Sequence, residues 1–240
     1  MEIINAGNRI MNTYFYPSSS GLIMIDTGYE HSLESVEKKL KQHNLSLKDV
    51  SYVFLTHAHD DHAGFLNEML HQYDQFQVIV SDQSMTTLKR GQNSFEGGCS
   101  TLLAWLFCQM MVLFGKGEHR FPVIEDQFDS RFIEVTDQNK TELESLLGAS
   151  ILYTPGHTCD SLSLELDDVL FCGDAAMNGL PSFCRLIIWI ENLIQYEQSW
   201  DVMLQSEAKW IYPAHGKPFL KEDLKKYKSI IKKLRLYKLK

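Results

Sequence analysis

Short apolar runs that end in Gly, Pro or polar residues recur along the chain, and each predicts a buried strand. Two longer segments, residues 32–43 and 190–207, instead predict helices, and the first keeps Leu33, Val36 and Leu40 on one apolar stripe. Helices that alternate with clustered strands predict an α/β protein in which two sheets pack together with helices outside. The predicted strands are residues 3–5, 12–16, 22–25, 52–55, 78–81, 132–135, 149–153, 161–166 and 169–172.

The segment from Leu102 to Phe114 is strongly apolar and predicts a further helix. Thirteen residues are too few to cross a bilayer as a helix, which needs about 20. Apolar helical stripes usually pack against protein, which favours a place in the core or at a subunit interface of a homodimer. The alternative is a lid or wall of an apolar substrate pocket, with the run 183–190 as the opposite wall.

The C-terminal segment is basic, although the chain as a whole carries a net charge of -8. Residues 221–240 hold nine Lys or Arg and two acids, which leaves fourteen basic and twenty-nine acidic residues elsewhere. That acidic remainder would repel nucleic acid, so no nucleic-acid partner is expected. Apolar residues recur in this segment at helical spacing, so its lysines are predicted to form the solvated face of a closing helix. These apolar residues are Leu224, Tyr227, Ile230, Ile231 and Leu234.

Length and composition favour an ordinary globular enzyme. The 240 residues are 44% hydrophobic and contain no Ser, Gly or Pro linker, which predicts a single domain over 1–240. Within it we expect an apolar helical insertion near 95–120 and a basic C-terminal helix over 221–240. The cysteines are odd in number and form no CxxC pair, and no secretory signal is evident, so a cytoplasmic, reducing location is predicted. They are Cys99, Cys108, Cys159, Cys172 and Cys184.

Candidate metal ligands are densest directly after the predicted strand 52–55. There His57, His59, Asp61 and His62 form an HxHxDH pattern. Neutral imidazole and carboxylate suit Zn²⁺ or Fe²⁺, and ligands at i and i+2 after a strand would spread toward two sites. A polar loop that is rich in histidine by chance is the alternative interpretation.

Three further strand ends carry a ligand type beside Gly or Pro. His157 follows Pro155 and Gly156, Asp174 follows Gly173, and His215 lies between Ala214 and Gly216. A lone histidine of this kind would more often be structural. Four such strand ends predict that their side chains gather at the carboxyl edge of the sheets, where α/β proteins place functional groups.

The chain resembles the metallo-β-lactamase-fold hydrolase superfamily from about Ile3 to Phe219. The resemblance implies an α/β fold, a four-layer αββα sandwich of two mixed sheets. It also implies two divalent ions, with zinc expected and iron or manganese as alternatives. The ligands would be His57, His59 and His157 for the first ion, and Asp61, His62 and His215 for the second, with Asp174 bridging both. Five blocks carry the resemblance in order: residues 25–28, the HxHxDH loop, Gly156-His157, Gly173-Asp174 and residues 213–216.

The resemblance implies hydrolysis by a hydroxide that bridges the two ions. Two divalent ions, two carboxylates and one hydroxide leave about one positive charge, which suits a tetrahedral oxyanion. Asp61 and Asp174 are the candidate catalytic residues, and Asp61 could relay a proton to the leaving group. Asp26 is either a carboxylate that orients a ligating imidazole or a turn residue, and the two interpretations stay open. Asp60 is not used by the family and is expected to be solvated.

Departures from better-defined relatives bear on the substrate, which is expected to be a small ester, lactone or thioester. The β-lactamases lack a bridging carboxylate at the position of Asp174, and acyl-homoserine lactonases place a tyrosine where this chain has Met177. Glyoxalase II enzymes share all seven ligands but add a glutathione-binding segment. The alternatives are an iron persulfide dioxygenase with a single ion, a nuclease or phosphodiesterase, and a non-catalytic binding module. A small molecule is the expected partner, without a transmembrane segment, and a homodimer stays open.

Overall fold

The structure is a computed structural model that describes residues 2–239. Short 3₁₀ helices at Leu47–Asp49 and Asp126–Arg131 accompany the longer elements. The strands are β1 (Ile4–Asn5), β2 (Tyr14–Ser18), β3 (Gly21–Ile25), β4 (Val50–Phe54), β5 (Gln77–Ser81), β6 (Gly98–Cys99), β7 (Phe132–Val135), β8 (Ser150–Tyr153), β9 (Leu162–Leu166), β10 (Val169–Gly173), β11 (Trp189–Ile190), β12 (Trp210–Pro213) and β13 (Phe219–Leu220). The helices are α1 (Leu33–Gln42), α2 (Leu66–Gln72), α3 (Met85–Arg90), α4 (Leu102–Leu113), α5 (Lys140–Leu147), α6 (Leu193–Gln205) and α7 (Glu222–Ile231).

The chain forms two compact units, each with its own sheet and core. The N-terminal unit contains the residues up to Asn93 together with Arg120–Ser150. The C-terminal unit contains Ser94–His119 and the residues from Ile151 onward. The apolar insertion predicted near 95–120 therefore groups with the second half of the chain.

The N-terminal unit is built on a mixed sheet in the order β1-β2-β3-β4-β5-β7. Strands β1, β2 and β3 pair antiparallel, whereas β3, β4, β5 and β7 run parallel. Parallel strands are covered on both faces, which explains their nearly continuous apolar runs. The predicted stripe of α1 is buried in the core of this unit. Because β3 and β4 are parallel, the residues that follow them emerge at the same edge of the sheet.

The C-terminal unit contains a mixed sheet in the order β13-β12-β10-β9-β8, and a separate two-stranded pair of β6 and β11. Strands β10 and β12 are parallel, and β9 is antiparallel to β10. Helices α6 and α7 pack on this sheet through Trp200, Met203 and Leu224, which are fully buried. Both sheets therefore contain parallel and antiparallel pairs, as predicted.

Helix α4 is present as predicted, but most of it lies outside the core. Of its residues only Ala104 is buried, whereas Leu113 is 84% exposed and Phe114, which follows the helix, is 73% exposed. The expectation that this segment packs into the core of its own chain is therefore wrong for most of its side chains. Within residues 2–239, no helix combines the length and the apolar character that crossing a bilayer would need.

The basic C-terminal helix is shorter than the predicted range 221–240, since α7 ends at Ile231. Leu224 and Ile231 are buried and form the predicted apolar stripe, while Lys225 and Lys226 face solvent. Past the helix the chain turns, and Tyr237 forms a β-bridge with Cys99 of β6. A longer helix could not make that bridge, because pairing with a strand needs extended backbone.

Candidate metal centre

In the N-terminal unit, the loop that follows β4 gathers three imidazoles. The ring of His57 lies 4.6 Å from that of His59 and 3.9 Å from that of His62, measured between centroids. All three histidines are buried. Asp61 joins them, with its Oδ1 at 3.8 Å from Nε2 of His62. The loop is tight because the carbonyl of His59 accepts hydrogen bonds from the backbone of His62 and Ala63. The structure thus brings together the four predicted ligands of the HxHxDH pattern.

Asp26, at the end of β3, orients one of these rings. Its Oδ2 lies 2.9 Å from Nδ1 of His62, and its Oδ1 accepts a hydrogen bond of 2.7 Å from the backbone of Thr56. An imidazole that donates from Nδ1 carries its lone pair on Nε2, the atom that can ligate a metal. Asp26 also has a left-handed backbone, with φ at 56°, which Asp tolerates better than most residues. The structure therefore supports the interpretation in which Asp26 orients an imidazole, and that this imidazole ligates a metal stays a prediction.

Thr56 is a functional residue that the sequence analysis missed. Its hydroxyl lies 2.9 Å from Oδ2 of Asp26 and 3.2 Å from Nδ1 of both His57 and His62. A hydroxyl that donates to the carboxylate keeps lone pairs that accept from a ring N–H, so it helps to fix the tautomer of His57. Its position directly before the first histidine was the only available signal.

Asp60 is half-buried instead of solvated, which corrects the prediction. Its backbone N–H donates to Oδ1 of Asn93 at 2.9 Å, and the amide of Asn93 donates back to Oδ1 of Asp60 at 2.7 Å. This reciprocal pair stabilises the loop between the ligands. Asp60 therefore has a structural role in this loop.

In the C-terminal unit, Asp174 lies between two histidines. Its Oδ2 is 3.4 Å from Nε2 of His157, and its Oδ1 is 3.4 Å from Nε2 of His215. Asp174 and His215 follow the parallel strands β10 and β12, which explains why they emerge at the same edge. Nδ1 of His157 donates to the carbonyl of Trp189 at 2.8 Å, so this ring also presents Nε2. The three predicted ligands of this unit are brought together.

Glu191 is a second residue that the sequence analysis missed. Its backbone N–H donates to the carbonyl of Gly156 at 2.9 Å, and its Oε2 accepts from the backbone of Cys159 at 3.0 Å. Burial raises the pKa of this carboxyl group above its ordinary value. These contacts hold the loop that carries His157, and no spacing rule in the sequence pointed to them.

The donors in both units fit divalent ions of the zinc class. Each unit offers imidazole Nε2 atoms and carboxylate oxygens, which are the ligand types that Zn²⁺, Fe²⁺ and Mn²⁺ accept. Their second ring nitrogens are engaged by Asp26, Thr56 and the Trp189 carbonyl, as in metal sites generally.

An apolar cavity of about 190 Å³ lies in the C-terminal unit beside α4. Leu103 and Ala104 line it from the helix, and Phe183 and Ile188 line it from the second apolar run. The two apolar runs thus form walls of one cavity, as the alternative interpretation of the segment 102–114 predicted.

Comparison with known proteins identifies a family and several relatives. Residues 6–215 match the family model described as the metallo-beta-lactamase superfamily. A metallo-beta-lactamase fold-containing protein of Sulfurisphaera tokodaii is 28% identical over 87% of this chain and 73% of its own length. A hydroxyacylglutathione hydrolase of Vibrio cholerae is 28% identical over 65% of this chain, which spans only 42% of that relative.

A solved structure supports the fold. The crystal structure of an archaeal metallo-beta-lactamase superfamily protein from Sulfolobus tokodaii has a TM-score of 0.61 with 22% identity. The likeness covers 95% of this chain and 84% of that one. The fold class predicted from the sequence is therefore confirmed.

Proposed function

The chain belongs to the metallo-beta-lactamase superfamily, and from that membership we propose that it hydrolyses a small ester, lactone or thioester with two metal ions. The observation that carries the proposal is the position of Asp174, whose two oxygens each face Nε2 of a different histidine. A carboxylate with a metal ligand beside each oxygen is suited to bridge two ions.

We propose zinc as the metal, held by the seven ligands that the resemblance implies. His57, His59 and His157 would hold one ion, Asp61, His62 and His215 the other, and Asp174 both. Ions bound there would lower the pKa of a coordinated water toward about 7, which would make hydroxide available at neutral pH.

The protein's own side chains supply orientation and proton transfer. Asp26 and Thr56 fix the tautomers of His62 and His57, and the Trp189 carbonyl fixes that of His157. Asp61 is the proposed proton relay to the leaving group, because its side chain is only 14% exposed and lies at the edge of the imidazole cluster.

The proposed substrate class rests on two observations. A relative named hydroxyacylglutathione hydrolase is 28% identical over 65% of this chain. The cavity beside α4 is lined mainly by apolar side chains, which suits the apolar part of an ester or thioester. We also propose a cytoplasmic location, supported by five cysteines that are all thiols.

The deciding experiment compares Asp174→Ala with Asp60→Ala in protein purified without chelator. We expect Asp174→Ala to lose at least one ion per chain and to lose turnover of a panel of thioesters and lactones. Asp60→Ala should keep the metal content of the wild type, because Asp60 is not among the proposed ligands and its reciprocal hydrogen bonds with Asn93 give it a structural place in the loop. Elemental analysis measures the metal. Full turnover by Asp174→Ala would exclude the bridging role, and a single iron in the wild type would exclude the zinc hydrolase.

A further inference from the structure

Helix α4 presents its apolar side to solvent. At about 100° per residue, its exposed large side chains other than Val112 fall within one arc of about 120°, while Val112, which is 51% exposed, lies on another side of the helix. We call this surface the apolar face; its members are Leu102, Leu103, Leu106, Met110, Leu113 and Phe114, each at least 42% exposed. Ala104, the one buried residue of the helix, lies outside that arc. Exposed apolar surface of this extent on a soluble domain marks a site that contacts something else.

A strip of positive charge lies beside the apolar face. Lys232, Lys233, Arg235 and Lys238 are exposed, and the sequence contains no acid after Asp223. We call these four residues the basic strip. The indole of Trp105 in α4 donates a hydrogen bond of 3.2 Å to the carbonyl of Lys238, which fixes the end of the strip against the helix.

Most of this charge is available to a partner. Lys232 lies 3.7 Å from Glu197, an ion pair at the edge of the strip. Lys116, just past α4, adds a further exposed cation, and Glu118 adds an exposed acid. The remainder of the chain carries an excess of acids, so the positive charge is localised to this region.

We propose that the apolar face and the basic strip together bind the surface of an anionic phospholipid bilayer. A helix of twelve residues is about 18 Å long and would lie in the plane of the interface. Its apolar side chains would enter the boundary between headgroups and acyl chains, while the lysines contact anionic headgroups. Leu103 and Phe183, both exposed, also line the apolar cavity, so that cavity opens toward the same surface.

A second copy of the chain fits this surface less well. In a two-fold dimer the same patch lies on both sides of the interface, so pairing through the apolar face would bring the two basic strips near each other. Like charges at close range oppose that arrangement, whereas an anionic bilayer satisfies the apolar and the charged component together.

The test is sedimentation of the full-length, metal-loaded protein with vesicles of phosphatidylcholine, with and without phosphatidylglycerol. We expect binding only when phosphatidylglycerol is present, and weaker binding as salt is raised. The double variant Leu106→Glu with Leu113→Glu should lose at least about tenfold in partitioning. Lys233→Gln and Arg235→Gln should each reduce partitioning onto these vesicles on the order of fivefold.

The matched control is Ile10→Glu, which places a charge at another exposed apolar side chain in the N-terminal unit. It should bind vesicles as the wild type does, and circular dichroism checks that every variant is folded. The proposal fails if the wild type does not bind anionic vesicles, or if the α4 variants bind as well as Ile10→Glu. Sedimentation equilibrium that shows a dimer, dissociated by Leu113→Glu, without vesicle binding would assign the face to a second copy instead.

Discussion

The Asp26 side chain decides how the N-terminal histidines point. It contacts His62 directly and reaches His57 through the hydroxyl of Thr56. It lies buried beneath the imidazole cluster, where a carboxylate has little contact with water. A buried carboxylate of this kind raises the basicity of the imidazole that it accepts from. The removal of its charge should therefore weaken the proposed metal centre without removing a ligand.

We predict that Asp26→Asn binds metal about 10- to 100-fold more weakly than the wild type. The Asn amide has nearly the same shape as the Asp carboxylate but carries no charge. A loss of metal affinity would therefore reflect the orientation and basicity of the His62 imidazole. Competition with a chromophoric chelator measures the affinity. Asp137→Asn, at an exposed acid of the same unit, is the control and should bind as the wild type does. Equal affinities in the two variants would contradict the role given to Asp26.

The residue types of the centre could be predicted from sequence, but their supports could not. Each of the seven proposed ligands follows a strand, beside Gly or Pro or within the HxHxDH pattern. The carbonyl of Trp189 carries no side-chain signature, and Glu191 acts through backbone contacts that only the fold creates. Contacts to backbone atoms depend on tertiary structure, so no spacing in the chain reveals them.

At the scale of elements, strands were easier to predict than short helices. The predicted strand near 78–81 and the helix near 32–43 match β5 and α1 within a residue or two. Helices α2, α3 and α5 span six to eight residues, too few for a 3.6-residue period to stand out. The sequence also could not predict that α4 faces solvent, because an apolar pattern does not show whether the apolar residues are buried.

Gly156 is the glycine on which the loop of His157 depends. Its φ is 129°, and a Cβ at this position would lie 2.3 Å from the backbone nitrogen of Tyr196 in α6. The main-chain atoms of a helix cannot move away from such a Cβ without a large cost in free energy. We predict that Gly156→Ala destabilises the protein by about 3 kcal/mol or more, measured by urea denaturation.

The control for this prediction is Gly115→Ala. Gly115 also has a positive φ, of 72°, but a Cβ there would meet no heavy atom within 4 Å. Gly115→Ala should lower the free energy of unfolding by only about 1 kcal/mol, because it incurs the penalty of a left-handed backbone and no steric clash. If both variants lose the same stability, the close approach to Tyr196 is not what requires glycine at 156.

At the scale of the whole molecule, the division into two units is not visible in the sequence. The chain passes from one unit to the other near 93, 119 and 150, and although Gly and Ser make up half of residues 91–100, no long linker marks all three points. Neither unit is one continuous segment, so composition along the chain cannot separate them. The single-domain organisation stays a prediction.

Metal bound at the proposed centre would make overall stability depend on metal. We predict that removal of the ions with a chelator lowers the free energy of unfolding by about 2.7 kcal/mol for each ion, at a free-metal concentration near one hundred times its dissociation constant. Scanning calorimetry of the metal-free and zinc-reloaded protein measures the difference. In Asp174→Ala, the unfolding transition should rise by less than in the wild type when zinc is added back. Identical transitions for the wild type with and without zinc would contradict the proposed ligand set.

The bridge between Cys99 and Tyr237 joins the start of the C-terminal unit to its end. During translation, Cys99 therefore leaves the ribosome on the order of ten seconds before Tyr237 is made. Throughout that interval α4 is exposed on a nascent chain whose own unit is unfinished. We expect this stretch to be the one that chaperones recognise, so that the yield of folded enzyme in cells depends on them more than the stability of the finished protein suggests.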